Sequence, residues 1–341
     1  MEELSPKDNE NIPLPLLGPV EPSEPQGFAP EQMIRCEECL RANPPTRINC
    51  LYCNLPLPIT ESSAHLRKPL LRPPEKHEVG YNTIVLPGNQ PATPEAISEA
   101  ASFLKLKEDD LERILAERVP LPVARTASRE EAQLVADRLG ALGFCVFTLN
   151  DEGSVTRVRS LSFDEAGLVI NPRQTTNEVD LSWSDVVLLV SGRLVERRVE
   201  VKEVKRRRAE NEIVDTSELF SDEAIIDLYL SVNSETWRLS ANGFDFSCLG
   251  AEKSLLANEN FTRLQRLLIA RATNARVDDA YNRRRSLLDL VWGPQQETKS
   301  SGWRRERPGR LSIGMSTIHS NESQFTRYSR LLYYLATHDT N

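Results

Sequence analysis

The apolar positions of the chain change period along its length, and each period predicts its own elements. Residues 81–86 (YNTIVL) predict a short strand. Pro94 suits a helix start with Thr93 as its cap, and 96–103 reads as helical. Over 107–117, Leu111, Ile114 and Leu115 fall on one face at helical spacing, a second helix that Pro120 and Pro122 end. A strand over 121–126 follows. Ser128 and Glu131 then read as a capping box opening a helix with Ala132, Leu134, Val135, Leu139 and Leu142 on its apolar side. Gly140 and Gly143 mark its end, and 144–149 is a further strand. The predicted order over 81–150 is β-α-α-β-α-β.

Beyond residue 155 the period shortens. Strands are predicted over 168–170, 179–183, 186–190, 194–201, 225–232, 236–239 and 244–249, with turn signals at Asn171-Pro172 and Ser191-Gly192. Short strands at this spacing suggest a sandwich or small barrel. The charged stretch 203–223 reads as an insertion into that series, and 293–320 as a loop with little apolar content. Helices are predicted over 254–271, 281–292 and 324–337. The fold class expected is α+β and multidomain. Its parts are a tail (1–30), a cysteine-bearing module (31–59), a linker (60–80), a small α/β domain (81–150), a β-rich domain (155–275) and a C-terminal helical extension (276–341).

Composition alters this picture mainly at the N-terminus. Seventeen of the 22 prolines lie within the first 94 residues. Residues 1–31 carry seven acids and one base, so they account for -6 of the formal net charge of -8. An acidic, proline-broken tail of this kind is expected to be disordered. Leu14, Leu16, Leu17 and Phe28 read as incidental hydrophobes of this tail, with a short docking motif as the alternative. The other 310 residues sum to -2, a nearly neutral body with no general affinity expected for nucleic acid or anionic membrane. No apolar run is long enough to span a bilayer, and the N-terminus lacks the basic-then-apolar layout of a secretory signal. A cytoplasmic location is expected.

The six cysteines sharpen the chemistry. Cys36, Cys39, Cys50 and Cys53 form two C-x-x-C pairs ten residues apart, and Cys145 and Cys248 stand alone in apolar segments as expected buried thiols. Each pair can offer two thiolates, and a short hairpin brings the pairs together around one tetrahedral ion. Zn2+ is the expected cofactor, one structural ion per chain, with iron the alternative in the same cage. A redox C-x-x-C would need a helix N-terminus and a thioredoxin-like unit, which two adjacent pairs do not suggest.

The run Cys36-x2-Cys39-x3-Asn43-Pro44-x5-Cys50-x2-Cys53 resembles short bacterial zinc ribbons. Leu40 and Asn54 stand where those ribbons usually have glycines. The Ran-binding-protein type of zinc finger shares the cysteine and asparagine spacing, with Arg47 compatible and Ile34 in place of its tryptophan. The resemblance implies a structural zinc knob that contacts another protein or domain. Residues 106–149, above all SREEAQLVADRLGALGFCV (128–146), resemble the C-terminal domain of the ribosomal stalk protein and the ClpS-like adaptors of the same layout. The glycines by which stalk proteins meet translation factors are absent from 104–107, and no acid precedes Thr93-Pro94 to bind an N-terminal amine as in ClpS. A generic peptide- or domain-binding role is what the likeness implies. Residues 155–271, with the turn Leu181-Ser182-Trp183-Ser184-Asp185-Val186, resemble bacterial PH-like domains. Trp183 and Trp237 are expected in the barrel core.

Two basic clusters remain. Lys205–Arg208 is followed by acids that compensate it. Arg304, Arg305, Arg307 and Arg310 surround Trp303 in an arginine–aromatic pattern that suits single-stranded nucleic acid. No phosphate-cradling glycine motif or nucleophile elbow occurs, and the four histidines fall in expected linker, loop or tail. The chain therefore reads as a non-catalytic scaffold or regulatory protein acting on a protein partner. Alternatives are a ribosome- or RNA-associated factor and a proteolysis adaptor.

Overall fold

The structure, a computed structural model, describes residues 27–53, 55–58, 71, 74, 79–88, 90–174, 177–206, 212–231, 235–302, 304–307 and 310–338. The acidic tail with Leu14, Leu16 and Leu17, most of the linker, and Trp303 lie outside the described residues. The chain divides into two compact units, Met1–Lys68 and Pro69–Asn341.

The first unit holds a two-stranded antiparallel sheet, β1 (Ile34–Arg35) against β2 (Ala42–Asn43). Its core consists of Ile34, Cys36, Cys50 and Leu57, with Cys39 packed against it. Two apolar side chains and three thiols are too little buried surface for independent stability, so a cross-link has to supply the rest.

The second unit opens with the expected element order: β3 (Tyr81–Val85), α1 (Pro94–Leu104), α2 (Glu108–Ala116), β4 (Leu121–Thr126), α3 (Arg129–Ala141) and β5 (Val146–Asn150). The strands form an antiparallel sheet of order β4-β3-β5. Caps set the helix starts: Thr93 Oγ1 accepts from the Ala96 N–H, and Ser128 Oγ accepts from the Glu131 N–H. The capping box at Ser128 is only half made, because the Glu131 carboxylate accepts from the Leu71 N–H at 2.6 Å.

The remaining strands are β6 (Val155–Phe163), β7 (Gly167–Pro172), β8 (Val179–Ser182), β9 (Val186–Arg206), β10 (Glu212–Leu230), β11 (Thr236–Ser240), β12 (Arg276–Asp278), β13 (Gln295–Ser300), β14 (Arg304–Arg307) and β15 (Arg310–Ser320). They make one sheet of order β13-β15-β9-β10-β11-β6-β7-β8, with β12 on β9 and β14 on β15. Its β6–β11 part curls as a half-barrel over helix α4 (Ala257–Arg271). Phe261, Leu264 and Leu268 of α4 share a buried cluster with Trp183, Trp237, Leu228 and Leu239, so both tryptophans are core residues as expected.

Three expected features differ. The described residues of 203–223 are not an insertion, since β9 runs to Arg206, β10 starts at Glu212, and the two pair as the arms of one long hairpin. Residues 293–320 are not a loop but include β13, β14 and β15. Residues 246–252 form a 3-10 helix rather than a strand, with Gly250 at positive φ inside it. The supposed turn at Ser191-Gly192 lies in the middle of β9. A Cβ on Gly192 would stand 2.6 Å from the Phe325 ring and 2.8 Å from the Tyr281 ring, so the glycine answers to close packing rather than to chain reversal.

Helices α5 (Tyr281–Leu288) and α6 (Glu322–Thr337) pack in cis. Tyr281, Leu288, Phe325, Tyr328 and Leu331 belong to one buried cluster with Ile84, Leu111 and Val123 of the α/β segment and Leu188, Ile225 and Tyr229 of the sheet. The α/β segment and the near half of the sheet thus share a core. Polar bonds cross it: Trp292 Nε1 donates to Asn82 Oδ1 at 2.7 Å, and Asp151 accepts from Arg125, Arg327 and Arg330.

Candidate metal centre

Each C-x-x-C pair is shaped by its own backbone. The Cys36 N–H donates to the Arg41 carbonyl at 3.0 Å and the Leu40 N–H to the Cys36 carbonyl at 3.0 Å, closing a tight turn around the first pair. Leu40 takes φ +57°, the left-handed conformation that explains the glycine usual at this place. The second turn repeats the scheme, with the Cys50 N–H donating to the Leu55 carbonyl at 2.8 Å. The Arg47 N–H bonds the Pro44 carbonyl between them, and the Leu57 N–H bonds the Ile48 carbonyl.

Asn43, fully buried, locks the turns together. Its Nδ2 donates to the Arg41 carbonyl at 2.9 Å and to Cys50 Sγ at 3.5 Å, and its Oδ1 accepts from the Leu51 N–H at 2.8 Å. One side chain therefore touches the first turn, the second turn and a thiol.

The four sulfurs of Cys36, Cys39, Cys50 and Cys53 all lie within 4.8 Å of one another. Cys36 Sγ is 3.6 Å from Cys53 Sγ, and Cys39 Sγ is 3.4 Å from Cys50 Sγ. Four sulfurs bound tetrahedrally at about 2.3 Å from one ion stand about 3.8 Å apart, so the cage fits a single metal. These spacings are well beyond a disulfide bond, and all four cysteines are free.

The protons of this cluster are unevenly shared. Burial disfavours the Cys50 thiolate, but N–H groups of Tyr52 and Cys53, the Cys39 thiol and the Asn43 amide outweigh it and bring Cys50 down to about 6. At Cys53 the Leu55 N–H favours the thiolate, yet burial and the neighbouring sulfurs, Cys36 first, push the thiol up to about 12. Cys39 is raised in the same way against the Arg41 N–H, by burial and by Cys50. Crowded thiols that cannot all ionise alone are what a dication resolves. Around the cage, Leu40, Leu51 and Tyr52 are exposed, and the Arg41 guanidinium lies 4.6 Å over the Tyr52 ring.

Arg304, Arg305, Arg307 and Arg310 lie on β14 and β15, where the backbone pairs Arg304 with Ser312, Arg305 with Leu311 and Arg307 with Arg310. Cys145 is exposed, not buried as expected, because it precedes β5 at a loop. Cys248 is half-buried, and burial pushes its thiol up to about 11. His319 lies on β15, His338 caps α6 and stacks on Tyr334, and His65 and His77 fall outside the described residues. Two charge clusters escaped sequence reasoning. Arg238, fully buried, makes a bidentate pair with Asp227 at 2.7 and 2.8 Å and also reaches Glu322. Burial opposes the Arg238 charge, but Asp227 outweighs it and raises its pKa. The partners of Asp151 stand as far away as Arg327 and Arg330, so no local pattern announces them.

No protein family, no curated protein and no solved structure matches this chain. No helix among the described residues is long and apolar enough to cross a membrane.

Proposed function

We propose that the protein is a non-catalytic scaffold whose N-terminal module is a zinc-ribbon-like knob, folded by one structural Zn2+ and docking on a protein partner. The observation that carries this reading is the closed cage of four thiols, joined through the buried Asn43. Four sulfur donors fill a tetrahedral shell and suit a structural ion rather than a catalytic one, and Zn2+ is the common ion for a cage closed by two short turns. Leu40, Leu51 and Tyr52, exposed beside the cage, supply the apolar contact such a knob needs. The larger unit, with its two cores, serves as the body to which the knob is tethered.

The test pairs metal with binding. Native protein immobilised through its C-terminus should retain a protein partner from its host, and both zinc removal and Leu51→Glu/Tyr52→Glu should release it. A partner indifferent to both changes would refute docking through the knob. Salt-dependent retention of RNA in its place would favour the RNA-associated alternative, and a AAA+ protease retained would favour the adaptor.

A further inference from the structure

The long hairpin continues past the body as an open sheet. From Glu196 to Val204 β9 is flanked by β10 on one side and β15 on the other, with β13 and β14 outside β15. Every side chain of β10 from residue 215 to 222 is exposed, including Leu219 at 56% and Phe220 at 68%. Among the described residues, β11 pairs β10 only from Ile225 to Tyr229, and no strand pairs the outer edge of β10 from Glu212 to Glu223. That leaves about 40 Å of strand edge with unpaired backbone donors and acceptors.

The two margins of this sheet carry opposite charge. Residues 212–223 of β10 include Glu212, Asp215, Glu218, Asp222 and Glu223 and no lysine or arginine. Arg197 and Arg193 of β9 hold Glu218 at 2.5 Å and Asp222 at 2.7 Å, which fixes those carboxylates along the strand. The far margin is β14, Arg304-Arg305-Glu306-Arg307, followed by Arg310 at the start of β15. No described strand pairs the outer edge of β14 either. Two β10 edges brought together would oppose acid with acid, which disfavours a twofold dimer through this strand. A β14 edge brought against β10 would meet it with complementary charge and complete both ladders.

We propose that copies of this chain associate head to tail, the acidic β10 edge of one copy receiving the basic β14 edge of the next by strand addition. The partner is a second copy because both complementary edges are present on one molecule. Such a contact is heterologous and leaves a free edge at each end. Its backbone bonds supply affinity, Leu219 and Phe220 supply apolar contact, and the charges set direction and salt sensitivity. The inference does not depend on the metal centre.

Sedimentation of the full chain tests it. In low salt the mean mass of the wild type should at least double with rising concentration, and about 1 M salt should return it to monomer. Leu219→Lys/Phe220→Lys and Arg304→Glu/Arg305→Glu/Arg307→Glu should each remain monomeric alone. Mixed in equal amounts, they should form a species of twice the monomer mass and stop there, since only one competent edge pair remains. If either multiple variant loses its cooperative thermal transition, Phe220→Lys and Arg304→Glu serve for the same mixing. A wild type that stays monomeric throughout overturns the proposal, even if it binds an arginine-rich peptide. So does an arginine variant that self-associates like the wild type, or a folded pair that does not combine.

Discussion

Asn43 shows how much a single residue can settle. The motif placed an asparagine between the cysteine pairs, and folding gives it three partners: the Arg41 carbonyl, the Leu51 N–H and Cys50 Sγ. Asn43→Ala removes a hydrogen bond to a ligand and unties the two turns. Metal affinity should fall about 10–100-fold, read by competition with a chromophoric chelator. The thiols predict a pH dependence of definite sign. Cys39 and Cys53 are raised and hold protons at neutral pH, while Cys50, brought down to about 6, is already ionised. Metal uptake near pH 7 must therefore release at least the two protons of Cys39 and Cys53. Affinity should drop by at least about 100-fold for each unit the pH falls, measurable by titration at several pH values. The ligands were legible because C-x-x-C spacing is local. The exposure of Cys145 was not, since an apolar neighbourhood in sequence does not say on which side of a loop a thiol stands.

At the scale of elements, legibility followed burial on one face. Helices α1 to α3 announced themselves through Thr93, Ser128 and an apolar stripe that meets one core. The strand expected over 194–201 is part of β9, but the far ends of β9 and β10, and β15, did not announce themselves; on β10 the side chains from 215 to 222 are exposed on both faces, which leaves no alternation to read. Gly192 misled for a related reason: a glycine required by the approach of Phe325 and Tyr281 looks in sequence like a turn. The Arg238–Asp227 pair was invisible as well, since its value comes from burial that only the packed sheet and α6 create. Arg238→Met leaves the Asp227 carboxylate buried without its cation and should cost about 3–5 kcal/mol in urea unfolding. Arg238→Met with Asp227→Leu should recover most of that loss, because an apolar pair leaves no charge stranded.

For the molecule as a whole, the sequence indicated a cysteine module and a larger body, and the cores support that separation. Ile34, Cys36, Cys50 and Leu57 form one cluster, while the α/β segment and the half-barrel hold their own. What composition did not reveal is that the α/β segment, the near half of the sheet and helices α5 and α6 share a core, a join made by contacts far apart in the chain. All four tryptophans, at 183, 237, 292 and 303, belong to Pro69–Asn341. Tryptophan fluorescence therefore follows the unfolding of the larger unit. Whether the four thiols act as one ligand set is read by elemental analysis of protein purified from its native host without added metal. About one zinc per chain is expected, lost together with the fold of the N-terminal unit in Cys36→Ser/Cys39→Ser. Native protein that is metal-free, or a double variant that keeps its full metal content, would contradict it.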